Sequence, residues 1–321
     1  MTDTRPTLYL SRLLPDPVMA IVRDRFQLVQ EPLDAVPTPL TLREGLCQAD
    51  AAIVTLGDRI DAETIHSAAR LKILANYAVG YNNIDLTAAQ QRGLIVTNTP
   101  DVLTDATADL TWALLLATAR RIVEGDALVR SGSWTGWSPT QLLGTEVSGK
   151  TLGIIGMGRI GQAVARRAVG FRMTVRYHQR QPMAAASRPH EWEYRSLQDL
   201  LGEADVVTIH VPLSPSTHHL IGARELAWMR PTTFLINTAR GPIIDEGALV
   251  DALKTGIIAG AGLDVYEQEP ALHSALAQLM QVVLLPHLGS ATLHARVQMG
   301  LVCLENIQAV LDGRPAPNHV T

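Results

Sequence analysis

The chain has 321 residues, of which 47% are hydrophobic and 18% charged, and its formal net charge is −4. This length suits two globular domains with sizeable cores rather than one. The weakly acidic charge excludes the concentrated basic surface that nucleic acids or anionic membranes require, so neither is an expected partner. The two cysteines are too few for a disulfide framework and lack the paired spacing of a zinc site, so no metal is predicted.

The N-terminal segment lacks a sustained apolar stretch, and no run approaches the length of about 18 apolar residues that a membrane span needs. Neither a secretory signal nor a membrane span is therefore expected. These features together predict a soluble, cytoplasmic protein.

Short apolar runs alternate with amphipathic stretches along the first hundred residues. A helix is predicted over 17–25, and strands are predicted over 7–11, 51–56, 71–78 and 94–99. Strands at this spacing, joined by helix-length connections, are typical of βαβ units in a parallel sheet.

The segment 101–132 has a different character, because it is rich in Ala and Leu and contains no Gly or Pro before Gly125. This composition predicts one long, well-buried helix. The side chains of Thr104 and Asp105 are available to cap its N-terminus.

A second βα series begins at residue 151, and a helical run over 299–313 ends the chain. The predicted strands of this series lie within 151–155, 173–178, 205–211, 233–239, 258–265 and 282–287. The predicted fold class is α/β, with two Rossmann-like domains that have parallel sheets. A nucleotide-binding domain (101–287) is inserted into a discontinuous, flavodoxin-like substrate domain (1–100 and 288–321), and the cleft between them is the expected working site.

The run GMGRIG follows an apolar strand and opens an amphipathic helix. In this context a G-x-G-x-x-G pattern binds a dinucleotide. Gly156 permits the tight turn, Gly158 lets the backbone approach the pyrophosphate, and Gly161 allows close packing of helix on strand. Arg159 and Ile160 lie at the helix N-terminus, where amide groups, the helix dipole and the Arg159 charge favour phosphate.

The loop that distinguishes NAD from NADP carries no acid. In NAD-binding versions an Asp or Glu about 20 residues past the glycines binds the ribose 2′-OH, whereas an Arg nearby suits a 2′-phosphate. Here the position holds His178, followed by Gln179 and Arg180. We therefore predict NADP(H) as the preferred cofactor and NAD(H) as the second, with Arg180 as the main phosphate anchor and its two neighbours as helpers. A surface loop that merely contains an arginine is the alternative.

Three charged side chains follow buried strands of the second series, where open α/β sheets bind ligands. Arg240 can grip a substrate carboxylate with its two-pronged guanidinium. His287 can donate a proton to a carbonyl oxygen as hydride reaches the carbon, and Glu269 can fix the ring tautomer and favour its protonated form. Each alone could be a strand-end salt bridge or a loop side chain, but together they predict a carbonyl reductase.

The sequence closely resembles the D-isomer-specific 2-hydroxyacid dehydrogenases. The matching segments lie between residues 75 and 292 and include NYAVGYNNID, NTPDVLTDATAD, GIIGMGRIGQA, NTARGPIIDEGAL, AGLDVYEQEP and LLPHLGSAT. The resemblance implies Arg240, Glu269 and His287 as the catalytic set. In contrast to most members, the segment after Glu269 lacks a second proline and an Asn, which leaves the shape of that loop open.

The resemblance also implies roles for residues outside this set. Asp264 would contact the nicotinamide amide, and Thr104 would pack near the nicotinamide. The backbone amides of Val79 and Gly80 would receive the substrate carboxylate, and Ser290 is a further candidate substrate contact.

The segments VLTDATADLTWALLLATARR and GSWTGW are most similar to the glyoxylate/hydroxypyruvate reductase branch, and YHQRQP resembles its NADPH-binding loop. In that branch a Trp of the neighbouring subunit lines the substrate pocket, and Trp137 matches its position. Trp137 could alternatively be an apolar anchor of the arm 133–149, which packs the dimer in the family. The resemblance therefore implies a homodimer.

The implied activity is NADPH-preferring reduction of glyoxylate to glycolate and of hydroxypyruvate to D-glycerate, with a histidine as general acid. A larger 2-keto acid such as 2-ketogluconate is an alternative substrate. A non-catalytic NAD(P)-sensing protein, like the corepressors built on this fold, is the alternative from another class.

Overall fold

The computed structural model describes residues 4–184 and 192–320. The chain divides into two compact units, Met1–Leu103 with Ser290–Thr321, and Thr104–Gly289. The second unit is thus inserted into the first, with its ends near the boundaries expected at 100/101 and 287/288.

The first unit is built on a five-stranded sheet with helices between its strands. Its elements before residue 104 are β1 (Thr7–Leu10), α1 (Asp16–Arg25), β2 (Gln27–Leu28), α2 (Pro39–Gln48), β3 (Ala51–Val54), α3 (Ala62–Ser67), β4 (Ile73–Asn76), α4 (Leu86–Arg92) and β5 (Ile95–Thr97). The order β2-β1-β3-β4-β5, with every pairing parallel, is that of flavodoxin-like sheets. The predicted flavodoxin-like fold is therefore confirmed.

Local capping explains where two of these helices begin. Asp61 accepts the Thr64 N–H at the start of α3, and Asp85 accepts the Ala88 N–H at the start of α4, both at 2.9 Å. Each bond satisfies a backbone donor that the first helical turn leaves unpaired. Gly93, with φ of 71°, ends α4 in the left-handed conformation that glycine adopts without strain.

The second unit contains a seven-stranded parallel sheet. Its elements are α5 (Thr104–Ala119), α6 (Ile122–Arg130), β6 (Thr151–Ile155), α7 (Arg159–Ala168), β7 (Thr174–His178), β8 (Trp192–Tyr194), α8 (Leu197–Glu203), β9 (Val206–Ile209), α9 (Ala223–Leu226), β10 (Phe234–Asn237), α10 (Glu246–Lys254), β11 (Gly260–Leu263) and β12 (Val282–Leu284). The order β8-β7-β6-β9-β10-β11-β12 is the Rossmann order 3-2-1-4-5-6 with one more strand. This confirms the predicted nucleotide-binding fold.

The prediction of one long helix over 101–132 is wrong, because two helices occupy this segment. The chain turns at Arg121, whose φ is 54°, and the Thr145 N–H caps the Ala119 carbonyl at 2.8 Å. Only α5 is well buried, and α6 contains no buried residue. Thr104 and Asp105 lie within the first turn of α5 instead of capping it.

The last helix, α11 (Leu293–Leu311), packs against α1 and β4 of the first unit. A Cβ at Gly300 would lie 2.6 Å from Val18, so the absence of a side chain sets the close approach of the two helices. In the part of the chain that the structure describes, no helix has the length and apolar character needed to cross a membrane.

Candidate active site

Two of the predicted catalytic side chains, Glu269 and His287, are hydrogen-bonded to each other in the second unit. Glu269 Oε2 lies 2.8 Å from His287 Nδ1, and the two side chains are 36% and 30% exposed. Because the carboxylate can only accept, Nδ1 carries the hydrogen of this bond. His287 Nε2 has no hydrogen-bond partner among the described residues, so it is the nitrogen available to a substrate.

Glu269 is held through both carboxylate oxygens, since Oε1 accepts the Tyr266 N–H at 3.1 Å. Burial by itself raises the pKa of Glu269, but the hydrogen bond and charge of His287, the Tyr266 N–H and the Arg240 charge together lower it below its usual range. The carboxylate is therefore ionised at neutral pH. In that state it stabilises a protonated His287.

His287 has a strained backbone, with φ of 55°. A buried carboxylate holds this turn: Asp264 accepts the N–H groups of Leu288 at 2.6 Å and of Gly289 at 2.8 Å. The Asp264 carbonyl also accepts the His287 N–H at 2.9 Å. A non-glycine residue in this region costs about 1–3 kcal/mol and is typical of functional sites. The nicotinamide contact of Asp264 stays a prediction.

Arg240 follows β10 and is half-buried. The buried side chain of Asn237, the last residue of β10, shapes the turn that carries it. Asn237 Nδ2 donates to the Arg240 carbonyl at 2.9 Å, and its Oδ1 accepts the Ala239 N–H at 3.0 Å. Asn237 was missed by sequence reasoning, although a buried Asn at a strand end is its signal.

The loops of Arg240 and Glu269 pack closely against each other. A Cβ at Gly241 would lie 1.8 Å from the carbonyl carbon of Tyr266, so only glycine permits this approach. Burial lowers the pKa of the Arg240 guanidinium, and the negative charge of Glu269 opposes that change. The guanidinium of Arg240 and the carboxylate of Glu269 therefore attract each other electrostatically.

The glycine turn has the local geometry expected of a dinucleotide site. Gly156 has φ of 98°, and a Cβ there would lie 2.6 Å from the His210 carbonyl. A Cβ at Gly161 would lie 2.1 Å from the Gly156 oxygen, whereas nothing lies within 4 Å of a Cβ at Gly158. The helix α7 begins at Arg159, beside this open space. The residues present therefore fit a pyrophosphate at the helix N-terminus.

The predicted specificity loop follows β7. His178 Nδ1 donates to the Arg195 carbonyl at 3.0 Å, and Gln179 Nε2 donates to the Gln181 carbonyl at 2.7 Å. Arg180 is exposed and makes no hydrogen bond or ion pair with residues 4–184 or 192–320. An exposed guanidinium is suited to a charge-assisted contact with a phosphate, and the role of Arg180 as the anchor stays a prediction.

Two further residues of this region have structural contacts. Tyr177 is fully buried, and its hydroxyl accepts the Met183 N–H at 3.0 Å, which ties the loop back to β7. Ile160 is partly buried and packs against the core of the unit. Sequence reasoning missed Tyr177, because its bond to Met183 depends on the path of the loop.

Val79 and Gly80 lie just past β4 in the first unit. Their carbonyl oxygens are occupied, since Asn98 Nδ2 donates to Val79 and Asn76 Nδ2 to Gly80, each at 2.8 Å. Their amide N–H groups donate to no group of the described chain. Two unpaired amides side by side are suited to a carboxylate. The two asparagines were missed by sequence reasoning.

The remaining predicted contacts are divided between the two units. Ser290 lies in the first unit, where its carbonyl accepts Arg296 Nε at 3.3 Å. Thr104 begins α5 in the second unit. Trp137 is 82% exposed in the segment 133–149, and its role stays a prediction.

A Rossmann sheet with room for pyrophosphate, in one unit with an acid–histidine pair, defines the protein class as an NAD(P)-dependent oxidoreductase. The sequence profile described as "D-isomer specific 2-hydroxyacid dehydrogenase, NAD binding domain" matches residues 112–289. A glyoxylate reductase of Thermococcus gammatolerans is 47% identical over 98% of this chain and 96% of its own length. The chain belongs to the D-isomer-specific 2-hydroxyacid dehydrogenase family, as the sequence predicted.

Solved structures agree with this assignment. The TT0316 protein of Thermus thermophilus is 46% identical with a TM-score of 0.92, covering 98% of this chain and 100% of that one. An NADPH-dependent glyoxylate/hydroxypyruvate reductase of Sinorhizobium meliloti, in complex with NADP and malonate, is 33% identical with a TM-score of 0.87. That similarity covers 99% of this chain and 97% of the relative.

Proposed function

We propose that this protein is an NADPH-preferring reductase that converts glyoxylate to glycolate and hydroxypyruvate to D-glycerate. The observation that carries the proposal is the 2.8 Å bond between Glu269 and His287, in a unit whose glycine turn fits a dinucleotide. The broader activity, reduction of small 2-keto acids, is supported by family membership and by the glyoxylate reductase at 47% identity.

Each predicted residue of the site has a role in the proposed reduction. A bound nicotinamide would supply the hydride for the carbonyl carbon. Arg240 binds the substrate carboxylate through parallel N–H···O bonds. The paired Val79 and Gly80 amides are by themselves suited to a carboxylate. His287 transfers its Nε2 proton to the carbonyl oxygen, which becomes the hydroxyl of the product. Glu269 keeps Nδ1–H in place and stabilises the imidazolium before the transfer.

The preference for NADPH rests on the charges around the specificity loop. Arg180 offers an exposed cation, and two described acids, Glu193 of β8 and Glu203 of α8, are already paired. Glu193 bonds Arg176 and Arg195 at 2.8 Å each, and Glu203 lies 3.3 and 3.1 Å from the same two arginines. A 2′-phosphate therefore meets one free positive charge and no uncompensated carboxylate in this part of the described chain.

Replacing Arg180 with Ala tests this preference. Losing one charge-assisted phosphate contact costs about 1.5–3 kcal/mol, so the KM for NADPH should rise about 10- to 150-fold while the KM for NADH changes little. Arg166→Ala, on the exposed face of α7, is the matched control. Equal effects on both cofactors would show that Arg180 does not bind the 2′-phosphate.

A panel of 2-keto acids tests the substrate. Glyoxylate, hydroxypyruvate, pyruvate and 2-ketogluconate should each be assayed with NADPH and with NADH. We expect the highest kcat/KM for glyoxylate or hydroxypyruvate with NADPH. A highest value for 2-ketogluconate would identify a reductase of larger acids, and no turnover of any acid would favour the NAD(P)-sensing protein.

We also propose a homodimer formed through the segment 133–149. Trp134, Trp137 and Leu143 are 50%, 82% and 66% exposed, which is unusual for large apolar side chains. Light scattering should show a dimer for the wild type. Trp137→Ala should raise the KM for glyoxylate if the ring lines the partner's pocket, and should weaken the dimer alone if the ring is only an anchor.

A further inference from the structure

Three potential metal ligands converge beside the loop that carries Glu269. They are His218, His219 and Glu267, and one ligand atom of each lies within 4.8 Å of the other two. The reduction described above uses none of these side chains. We propose that they form a binding site for a divalent transition-metal ion of the zinc type.

The two histidines are held by their backbones. His219 has φ of 49°, and its N–H donates to the Pro242 carbonyl at 2.8 Å, while the His218 N–H donates to the Ser214 carbonyl at 3.0 Å. Their rings stack with centroids 4.0 Å apart. His219 Nε2 already lies 2.7 Å from Glu267 Oε1. The chain thus brings both imidazoles to the same carboxylate before any ion binds.

Glu267 is fixed by reciprocal bonds with Glu246. The Glu267 N–H donates to Glu246 Oε1 at 2.7 Å, and the Glu246 N–H donates to Glu267 Oε2 at 3.3 Å. These bonds hold the Glu267 carboxylate in place beside His219.

The required movements are small. Zinc bonds nitrogen and oxygen at about 2.0–2.2 Å, so tetrahedral ligand atoms lie about 3.4 Å apart. The distance between His219 Nε2 and Glu267 Oε1, now 2.7 Å, must increase by about 0.7 Å. Any other two ligand atoms are at most 4.8 Å apart, so their distance must decrease by about 1.4 Å at most. The His218 ring is exposed and has no hydrogen bond to the described residues, so it can rotate into place.

The donor set selects the class of ion. Two imidazoles with one carboxylate suit Zn²⁺, Ni²⁺ and Cu²⁺, whereas Mg²⁺ and Ca²⁺ prefer oxygen ligands alone. Water completes the fourth position. The sequence predicted no metal because its two cysteines lack the spacing of a zinc site, and Glu267 is 48 residues beyond His219. The fold alone brings the three side chains together.

Zinc titration of the chelator-stripped, full-length protein by calorimetry at neutral pH tests the proposal. We expect one Zn²⁺ per chain with a Kd of about 10 μM or tighter. His218→Ala and Glu267→Gln should each weaken binding by at least about tenfold. Because His218 is exposed, its removal leaves the fold intact and carries the test even if the Glu267 variant is unstable. His66→Ala, an exposed histidine of the first unit, should bind as the wild type does.

Co²⁺ gives a second readout, since a site with nitrogen ligands of this geometry produces a visible absorption that His218→Ala should abolish. Binding weaker than about 100 μM in the wild type would overturn the proposal. So would equal affinity in His218→Ala, or an equal loss in His66→Ala. These outcomes are independent of the reductase activity, because no substrate or nicotinamide is present.

Discussion

Replacing Glu269 with Gln would isolate the charge that faces His287. Gln has nearly the same shape as Glu and can still accept the Nδ1–H bond, which is 2.8 Å long in the wild type. It cannot stabilise an imidazolium by charge. Reduction needs His287 protonated, whereas oxidation of the 2-hydroxy acid needs the same ring neutral. The variant should therefore lower kcat/KM for reduction and, because the overall equilibrium is unchanged, kcat/KM for oxidation by the same factor at a given pH.

The expected loss follows from the exposure of the pair. A hydrogen bond to a charged group contributes about 1.5–3 kcal/mol. Glu269 and His287 are 36% and 30% exposed, so solvent screening favours the lower limit, about 1.5 kcal/mol. Since about 1.4 kcal/mol is a factor of ten, kcat/KM for reduction should fall about tenfold at neutral pH.

The assay is kcat/KM for glyoxylate with NADPH across the pH range, and for glycolate with NADP in the reverse direction. Glu63→Gln is the matched control, because Glu63 forms an exposed ion pair with Arg43 at 2.6 Å. A loss of kcat/KM accompanied by an equally weakened Kd for NADPH would show that Glu269 acts only as a structural group. Unchanged kinetics would remove it from the mechanism.

The substrate grip, the cofactor turn and the stability of the first unit give three further tests. Arg240→Lys should lower kcat/KM about 10- to 150-fold, because lysine keeps the charge but cannot make the two parallel hydrogen bonds of a guanidinium. Wild-type kinetics in this variant would show that another group binds the substrate carboxylate. Gly158→Ala should unfold at the same temperature as the wild type, since nothing in the described part of the chain lies within 4 Å of a Cβ there. The added methyl group would occupy the space predicted for the pyrophosphate, so the KM for NADPH should rise at least about tenfold. Gly161→Ala should lose about 1–3 kcal/mol of unfolding free energy, since its Cβ would lie 2.1 Å from a backbone oxygen; equal stability of the two variants would contradict this. Burial by itself raises the pKa of Asp50, but hydrogen bonds, led by the one from Arg70, lower it to about 2. The contribution of the Asp50 carboxylate to the free energy of unfolding is therefore complete above about pH 4 and is lost as the pH falls toward 2. Because Arg70 is 56% exposed, Asp50→Asn should lower the free energy of unfolding by only about 1–2 kcal/mol at neutral pH and should have no effect near pH 2. Denaturant unfolding measures this loss, and a loss that does not depend on pH would contradict the role of the Asp50 charge.

The strand pattern of the sequence was sufficient to predict both sheets, because buried parallel strands are nearly continuous apolar runs. The edge strands β2 and β8, two and three residues long, were not predicted. The break at Arg121 was also missed, since its partner for capping, Thr145, is remote in sequence. Composition indicates burial well but does not show where a helix turns.

The charged residues of the site were identifiable from position, because Arg240 and His287 follow strands whose ends share one edge of the sheet. The groups that orient them were not, except for Asp264, which the sequence identified for a nicotinamide contact. Asn237, Asp264 and the Tyr266 N–H act through hydrogen bonds that exist only after the loops have folded. Their side chains carry no signal of their own beyond burial of a polar group at a strand end.

We propose that His287 is the general acid of an NADPH-dependent 2-keto acid reductase. The most direct measurement is NADPH oxidation with glyoxylate by the wild type and by His287→Ala, with Kd for NADPH measured on both. Removing a general acid costs about 10²- to 10⁴-fold, so kcat should fall by that factor while NADPH binds as in the wild type. Normal turnover by His287→Ala would contradict the account.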